Sequence, residues 1–357
     1  MKKGRLVILS ILVILAMIAW FSCNPFDQQK QQSSTFNVLN PADTVRGSSD
    51  LGIVGFAQYV TGGEGGTVVN VTTADEFDAA LRLDGPAIVQ ITGHLVSGYP
   101  RCMANKTIIG IGSGAWLDGG VYLDSKANNV VIQNLLITSQ SSSEDGVTIR
   151  GGQNVWVDHC TFVDCGDGSI DITEGAQTVT VSWCKFVYTY NHDHDFVNLI
   201  GASDSDNCPF YVTMHHNWYY TNCIERMPSV RFGTVHVFNN YYNCTGNDYC
   251  IRTRIDAQIL AENNFFENVQ NPWEQYITSA GGTPGKICAR GNNIGFMDTS
   301  TGCTWVADAA PDKSGDQRIL VPGTDTVFTP PYDYTLDDAS NVKSIVMAGA
   351  GSQGSGY

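Results

Sequence analysis

Charged side chains are scarce in this chain, at 15% of 357 residues, and basic ones scarcer still: 20 Lys and Arg stand against 35 Asp and Glu, a formal charge of −15. So little positive charge excludes a nucleic-acid binder that works by neutralising phosphates. It equally excludes attachment to anionic lipid through basic patches. Few charges alongside 43% hydrophobic residues exclude a disordered chain. No CxxC pair occurs, so the eleven cysteines do not read as the usual metal motif, and they are too many for a reducing cytosol. Helical periodicity is absent between the strand-like segments, which removes βαβ folds. Long apolar runs are missing too, with one exception at the start.

That exception follows Lys2, Lys3 and Arg5 and extends from Leu6 to Phe21. A basic start, an apolar stretch and then Ser22-Cys23-Asn24-Pro25 form a bacterial-type secretory signal, residues 1–22. It is too short and too early for a spanning helix. Cys23 directly after the run is the predicted lipidation site, a surface-lipoprotein arrangement. Setting Cys23 aside leaves ten cysteines, an even number that suits disulfide pairing outside the cytosol. Residues 23–50 are rich in Gln, Ser and Asn and read as a flexible tether. The folded domain is placed at 51–357, as a monomer.

What the chain has in quantity is a repeat. Six segments share a β-branched strand followed by a polar pair and then aromatic or apolar residues. They begin at Val130, Val155, Val179, Val212, Val235 and Ile259, at intervals of 25, 24, 33, 23 and 24. Thr107–Gly110 reads as an earlier coil, 23 residues before the first, and Ala87–Ile91 as one more. Short strands at this period, with no helices between, predict an all-β fold: a right-handed parallel β-helix in which each coil stacks on the last. Thr72–Leu81 is the one helix signal, with a Thr cap and early acids, and predicts a short N-terminal helix covering the apolar end of the solenoid. The 33-residue interval predicts a protruding loop from about Tyr190 to Cys208.

The sixth position of five segments is Cys160, Cys184, Asn217, Asn240 and Asn264. Asparagines there would form a hydrogen-bonded ladder at one corner of the coils. Cysteines on adjacent rungs lie within disulfide reach, so a Cys160–Cys184 bridge is expected, with two buried thiols as the alternative. Cys244–Cys250 and Cys288–Cys303 are further pairs suggested by closeness in sequence.

Coil register also sorts the charges. Asp145, Asp167, Asp171 and Arg226 each precede the next strand by 8 to 12 residues and so share one side of the solenoid. Three carboxylates there suit Ca²⁺, a hard cation that takes oxygen ligands. Solvated acids in coil turns are the competing reading. Arg226, two coils on, would stand roughly 10 Å away, leaving room for a sugar ring.

At these residues the chain resembles the pectate lyases, the parallel β-helix enzymes of polysaccharide lyase family 1 in the pectate/pectin lyase superfamily. The resemblance runs over residues 52–351. It rests on Thr61-Gly62-Gly63-Glu64-Gly65-Gly66, Val155-Trp156-Val157-Asp158-His159, Arg226-Met227-Pro228-Ser229-Val230-Arg231-Phe232-Gly233, Glu262-Asn263-Asn264 and Pro331-Tyr332-Asp333-Tyr334. It implies β-elimination on polygalacturonate or pectin. A base takes the C5 proton of a galacturonate and the C4–O bond breaks. The resemblance assigns the base to Arg226 and Ca²⁺ binding to Asp145, Asp167 and Asp171. A guanidinium ordinarily keeps its proton to above about pH 12, so a carboxylate clamp is the other role open to Arg226. Arg231 is implied as a substrate clamp or a structural ion pair, and Arg254 as a sugar-binding or merely exposed arginine.

Two positions depart from the family pattern. Val147 stands where many relatives carry a second acid, with Glu144 a possible substitute. Phe196 stands where they carry a lysine, with His192, His194 or Lys185 as candidate replacements. These departures keep open a lyase for methyl-esterified pectin and a weakly catalytic polysaccharide-binding lipoprotein. The His192-Asp193-His194-Asp195 run reads as a solvated or substrate-facing loop rather than a zinc site.

Overall fold

The computed structural model describes residues 53–191, 194–279, 281–295, 299–306 and 315–357. The signal, the tether, Cys23, His192 and Asp193 lie outside them. The chain winds into a parallel β-helix with three sheets: one of ten strands and two of eight. One coil shows the plan. Gln153–Asp158 lies in the first sheet, Thr161–Cys165 in the second and Ile170–Thr173 in the third. The six segment starts are stacked in register, Val130 on Val155 on Val179 on Val212 on Val235 on Ile259. The earlier coil is present one residue out of the expected phase: Lys106, not Thr107, pairs with Val130. Ala87–Ile91 is a coil strand as expected, and Thr67–Val71 precedes it.

Alternation explains the core. Val155, Val157, Val179 and Val181 point inward and are fully buried, each worth about 1.5–3 kcal/mol of burial. The residues between them face outward, yet the first sheet is covered there as well. Ala57 and Val60 pack on Val131 and Trp156, and the Phe56 and Ala57 amides donate to the Thr213 and Thr180 hydroxyls. In the second sheet Phe162, Phe186, Tyr219, Tyr242 and Phe266 stack ring on ring, 4.6 to 5.2 Å between centroids. These spacings match the rise between stacked strands, about 4.8 Å.

The corner between the first two sheets needs a left-handed residue in every coil. Asn134, His159, Trp183, His216, Asn239 and Asn263 all have φ between 47° and 55°. Asparagine accepts this conformation readily. His159, Trp183 and His216 are bulkier and are held by stacking, 5.7 and 4.2 Å apart. The next residue carries the ladder. The side-chain amides of Asn217, Asn240 and Asn264 each donate to the Oδ1 of the next rung, 3.0 Å away, with Asn293 as a fourth rung. The Cys184 amide joins it by donating to Asn217 Oδ1 at 2.9 Å.

The expected Cys160–Cys184 bridge is not formed, nor are Cys244–Cys250 and Cys288–Cys303. All ten described cysteines are unbridged thiols. The rungs are adjacent, but each sulfur turns to a backbone carbonyl of its own coil: Cys160 Sγ donates to Asp158 O at 3.4 Å and Cys184 Sγ to Ser182 O at 3.3 Å. Buried thiols of this kind pack as small apolar groups.

The N-terminal helix spans Ala74–Leu81, with a Thr73–Glu76 capping box and with Phe77, Ala80 and Leu81 buried against the end of the solenoid. A second helix, Ala339–Gly349, carries no strong sequence signal. Its Val342 and Val346 cover Trp218 and Tyr241 on the outside of the second sheet. The long coil does not extrude one loop. Strand Asn198–Ile200 of the third sheet interrupts it, pairing with Ile170–Ile172, so the excess leaves as two excursions, one on either side.

Candidate active site

The site lies on the third sheet and the turns that lead into it. Asp171 sits in strand Ile170–Thr173, in register with Thr148 below and Leu199 above. Asp145 ends the turn before strand Val147–Arg150, and Asp167 lies in the equivalent turn one coil on. Asp145 and Asp171 converge. A Cβ built on Gly168 would lie 3.0 Å from Asp145 Oδ1 and 3.4 Å from Asp171 Oδ1. Only a glycine leaves that space open.

Asp145 is buried. Its Oδ2 accepts from the Thr148 hydroxyl, which is bonded in turn to the Tyr99 hydroxyl. Its Oδ1 is buried with no hydrogen-bond partner. Burial and then the charge of Asp171 push the Asp145 carboxyl up to about 8. Burial also raises Asp171, to about 7, against the opposing pull of Arg226. An orphaned buried carboxylate oxygen beside a second raised carboxyl fits a hard cation. Among the described residues no three acidic, His or Cys side chains already close on one point. Asp145 and Asp171 are therefore a partial set of oxygens, with Asp167 at the rim. There His194 Nδ1 lies 2.9 Å from the Asp167 carbonyl and 3.4 Å from its carboxylate.

Arg226 faces these acids. It is held at φ +62°, a conformation that persists only where the surroundings enforce it. Here its carbonyl accepts from the Asn198 amide, and Met227 N–H donates to Cys250 O at 2.8 Å. Its guanidinium lies 4.1 Å over the ring of Phe196. Phe196 is fixed by a backbone bridge to Glu225, and its carbonyl accepts from the Tyr188 hydroxyl at 2.5 Å. The position lacking a cation is thus a flat π surface under the arginine.

The other arginines lie further along the same side. Arg231 is buried and committed, with Nε donating to Asp204 at 3.0 Å and Nη1 to Gly201 O at 2.9 Å. Of the two roles left open for it, this geometry is the ion pair. Arg254 lies 4.5 Å over Tyr276 with a buried Nε that has no partner. Burial, then Arg231 and Arg252, lower it to about 10. Arg252 is neutralised by Glu274 at 2.5 Å.

Val147 is a core side chain, so its place could not hold an outward ligand. Glu144 is only partly buried and contributes its carbonyl to Ser139. Lys185 is remote from the site: it lies 3.9 Å over Trp218 and donates to Tyr357 O at 2.6 Å. Thr148, Tyr99 and Gly168 were not singled out from sequence. Strand alternation after the inward Val147 would have put Thr148 on the outer face, but nothing local marks Tyr99, 46 residues before Asp145.

Comparison with known proteins bears on the fold and the family. A family model described as pectate lyase matches residues 48–355. The pectate trisaccharide-lyase of Bacillus licheniformis is 34% identical over 326 residues, covering 85% of this chain and 87% of that protein. Pectate lyase II from Xanthomonas campestris superposes with a TM-score of 0.67 at 27% identity, over 85% of this chain and 99% of that one. A pectate lyase of a Bacillus species, solved with trigalacturonate, gives 0.63 at 26% identity, over 86% and 100%. With a parallel β-helix fold shared with pectate lyase structures and a family match over most of its length, the chain belongs to the pectate lyase family of polysaccharide lyases.

Proposed function

We propose that this protein is a secreted or surface-anchored pectate lyase that cleaves polygalacturonate by β-elimination, with Arg226 as the base. The observation that supports the reading is that Arg226 lies near Asp145 and Asp171, its charge opposing the rise that burial imposes on both carboxyls. Asp145, Asp167 and Asp171 would hold Ca²⁺. The ion supplies positive charge beside the reacting uronate carboxylate, making C5–H more acidic. Arg226 stands opposite to take that proton, steadied by Phe196 below it. The Thr148–Tyr99 chain fixes the Asp145 carboxyl through Oδ2, which leaves its buried Oδ1 without a partner beside Gly168 and Asp171. Arg254, partly buried over Tyr276, would bind a further uronate, while Arg231 would order the cleft wall through its ion pair with Asp204. Residues 1–22 and Cys23 supply export and the lipid anchor in this reading.

Ultraviolet absorbance of the unsaturated product tests it. Polygalacturonate should yield product that chelator abolishes and Ca²⁺ restores. Arg226→Ala should lower turnover by about a hundred- to ten-thousandfold, the contribution of proton transfer by a positioned group. Near-normal activity of that variant would remove Arg226 as the base.

A further inference from the structure

Beside the acid cluster lies a pocket of about 300 Å³ that the elimination chemistry does not use. It is formed by the turns between the second and third sheets in three successive coils. Ser139, Gln140 and Ser142 come from the first, Asp164 from the second, and Tyr190 and His194 from the third. From this pocket we infer a subsite for an uncharged pyranose flanking the uronate cleft. The inference rests on the proposed lyase reading only for its turnover measurements.

The pocket's size is at the small end for ligand sites, enough for one sugar ring rather than a chain. Its floor is kept bare by packing, because a Cβ at Gly166 would come 2.3 Å from the Ser141 carbonyl. One wall is the Tyr190 ring, 56% exposed, which offers the flat apolar surface that the CH face of a pyranose covers. Its mounting is built into the fold: Asp164 accepts from the Thr189 amide at 2.7 Å and the Thr189 hydroxyl at 2.6 Å, fixing the residue before Tyr190. Gln140 and Ser142 supply amide and hydroxyl groups of the kind that bond sugar hydroxyls, while the buried Ser139 hydroxyl is spent on the Glu144 carbonyl.

Charge decides which sugar. Among the described residues no lysine or arginine lines the pocket, and Asp164 places a carboxylate there. His194 Nδ1 is turned to Asp167. A free uronate would bring its negative charge to an acidic wall with no cation to meet it. An uncharged ring meets no such penalty. Two sources carry that chemistry: a methyl-esterified galacturonate of the backbone, or a neutral sugar branching from it.

The test compares kcat/KM of wild type and Tyr190→Ala on three substrates: linear unesterified polygalacturonate, methyl-esterified polygalacturonate and galactose-branched polygalacturonate. The expected result is about a fivefold fall on one or both uncharged-ring substrates, with the linear polymer unchanged. A fall confined to one of them assigns the source. Tyr190→Phe should retain activity, and Gln140→Lys should shift preference toward the unesterified polymer. An equal fall on all three substrates, or none on any, overturns the subsite. Titrating the full chain with methyl galactoside and with galacturonate, followed by NMR, reads the pocket without turnover. Binding of the neutral sugar that Tyr190→Ala removes supports the inference even if no lyase activity is found. Binding of galacturonate alone overturns it.

Discussion

Asp145 shows how one residue takes its properties from neighbours distant in sequence. Its carboxyl is raised because it is buried beside Asp171, and one of its oxygens has no donor. In the unfolded chain both acids ionise near their usual values, about 4. In the native protein without metal they keep their protons until about pH 7 to 8. Their contribution to stability is therefore fully present below about pH 4, is lost progressively as pH rises from there, and the loss levels off above about pH 8. In chelator, the thermal midpoint should fall as pH is raised from about 5 to about 7.5 and level off above about 8, and Asp145→Asn should flatten the slope. A wild-type curve without slope would refute the raised values. Calcium held there as proposed would reverse the preference, because it would bind the ionised acids and release protons. Its affinity, followed by calorimetry, should rise with pH over the same interval and level off above it.

At the scale of the element, the asparagine ladder is the feature most open to measurement. Asn240 donates to Met214 O at 2.9 Å and to Asn264 Oδ1 at 3.0 Å, and accepts from the Asn217 backbone and side chain. Truncation to alanine leaves several buried groups unpaired, each costing about 1–3 kcal/mol. Asn240→Ala should lower unfolding stability by at least about 3 kcal/mol in denaturant titration, whereas an exposed asparagine such as Asn292 should be near neutral. A loss under 1 kcal/mol would show that the ladder is incidental. The repeat itself was readable from sequence because strand alternation and the corner asparagines recur at a fixed interval. Helix Ala339–Gly349 was not, since it is short, has no acids in its first turn and owes its place to Trp218 and Tyr241 on a sheet more than 90 residues earlier.

For the whole molecule, a charge of −15 is unfavourable for holding a polyanion. Local arrangement outweighs it. Arg226 and Arg254 occupy the same side as the acid cluster, while other charges are spent elsewhere. Glu262 is one such group: burial opposes its charge, but donors from His236, Arg290 and Tyr334 outweigh this and hold it at about 2. Stability likewise rests on stacked coils rather than covalent bridges. A reducing agent should therefore leave the thermal midpoint of the described domain unchanged, while a drop of several degrees would reveal a disulfide.

Period and alternation, which are properties of the chain read in order, determined the solenoid, its register to within a residue, its N-terminal cap and the side on which Asp145, Asp167, Asp171 and Arg226 gather. Coil spacing is enough for that, because each coil must repeat the last. Side-chain direction is not set by spacing. Only the packed structure decided that Cys160 and Cys184 turn to carbonyls, that Arg231 is taken by Asp204, that Phe196 lies beneath Arg226, and that Tyr99 reaches Asp145 through Thr148. Each depends on which neighbour, in the same coil or another, offers the better partner once the interior has closed.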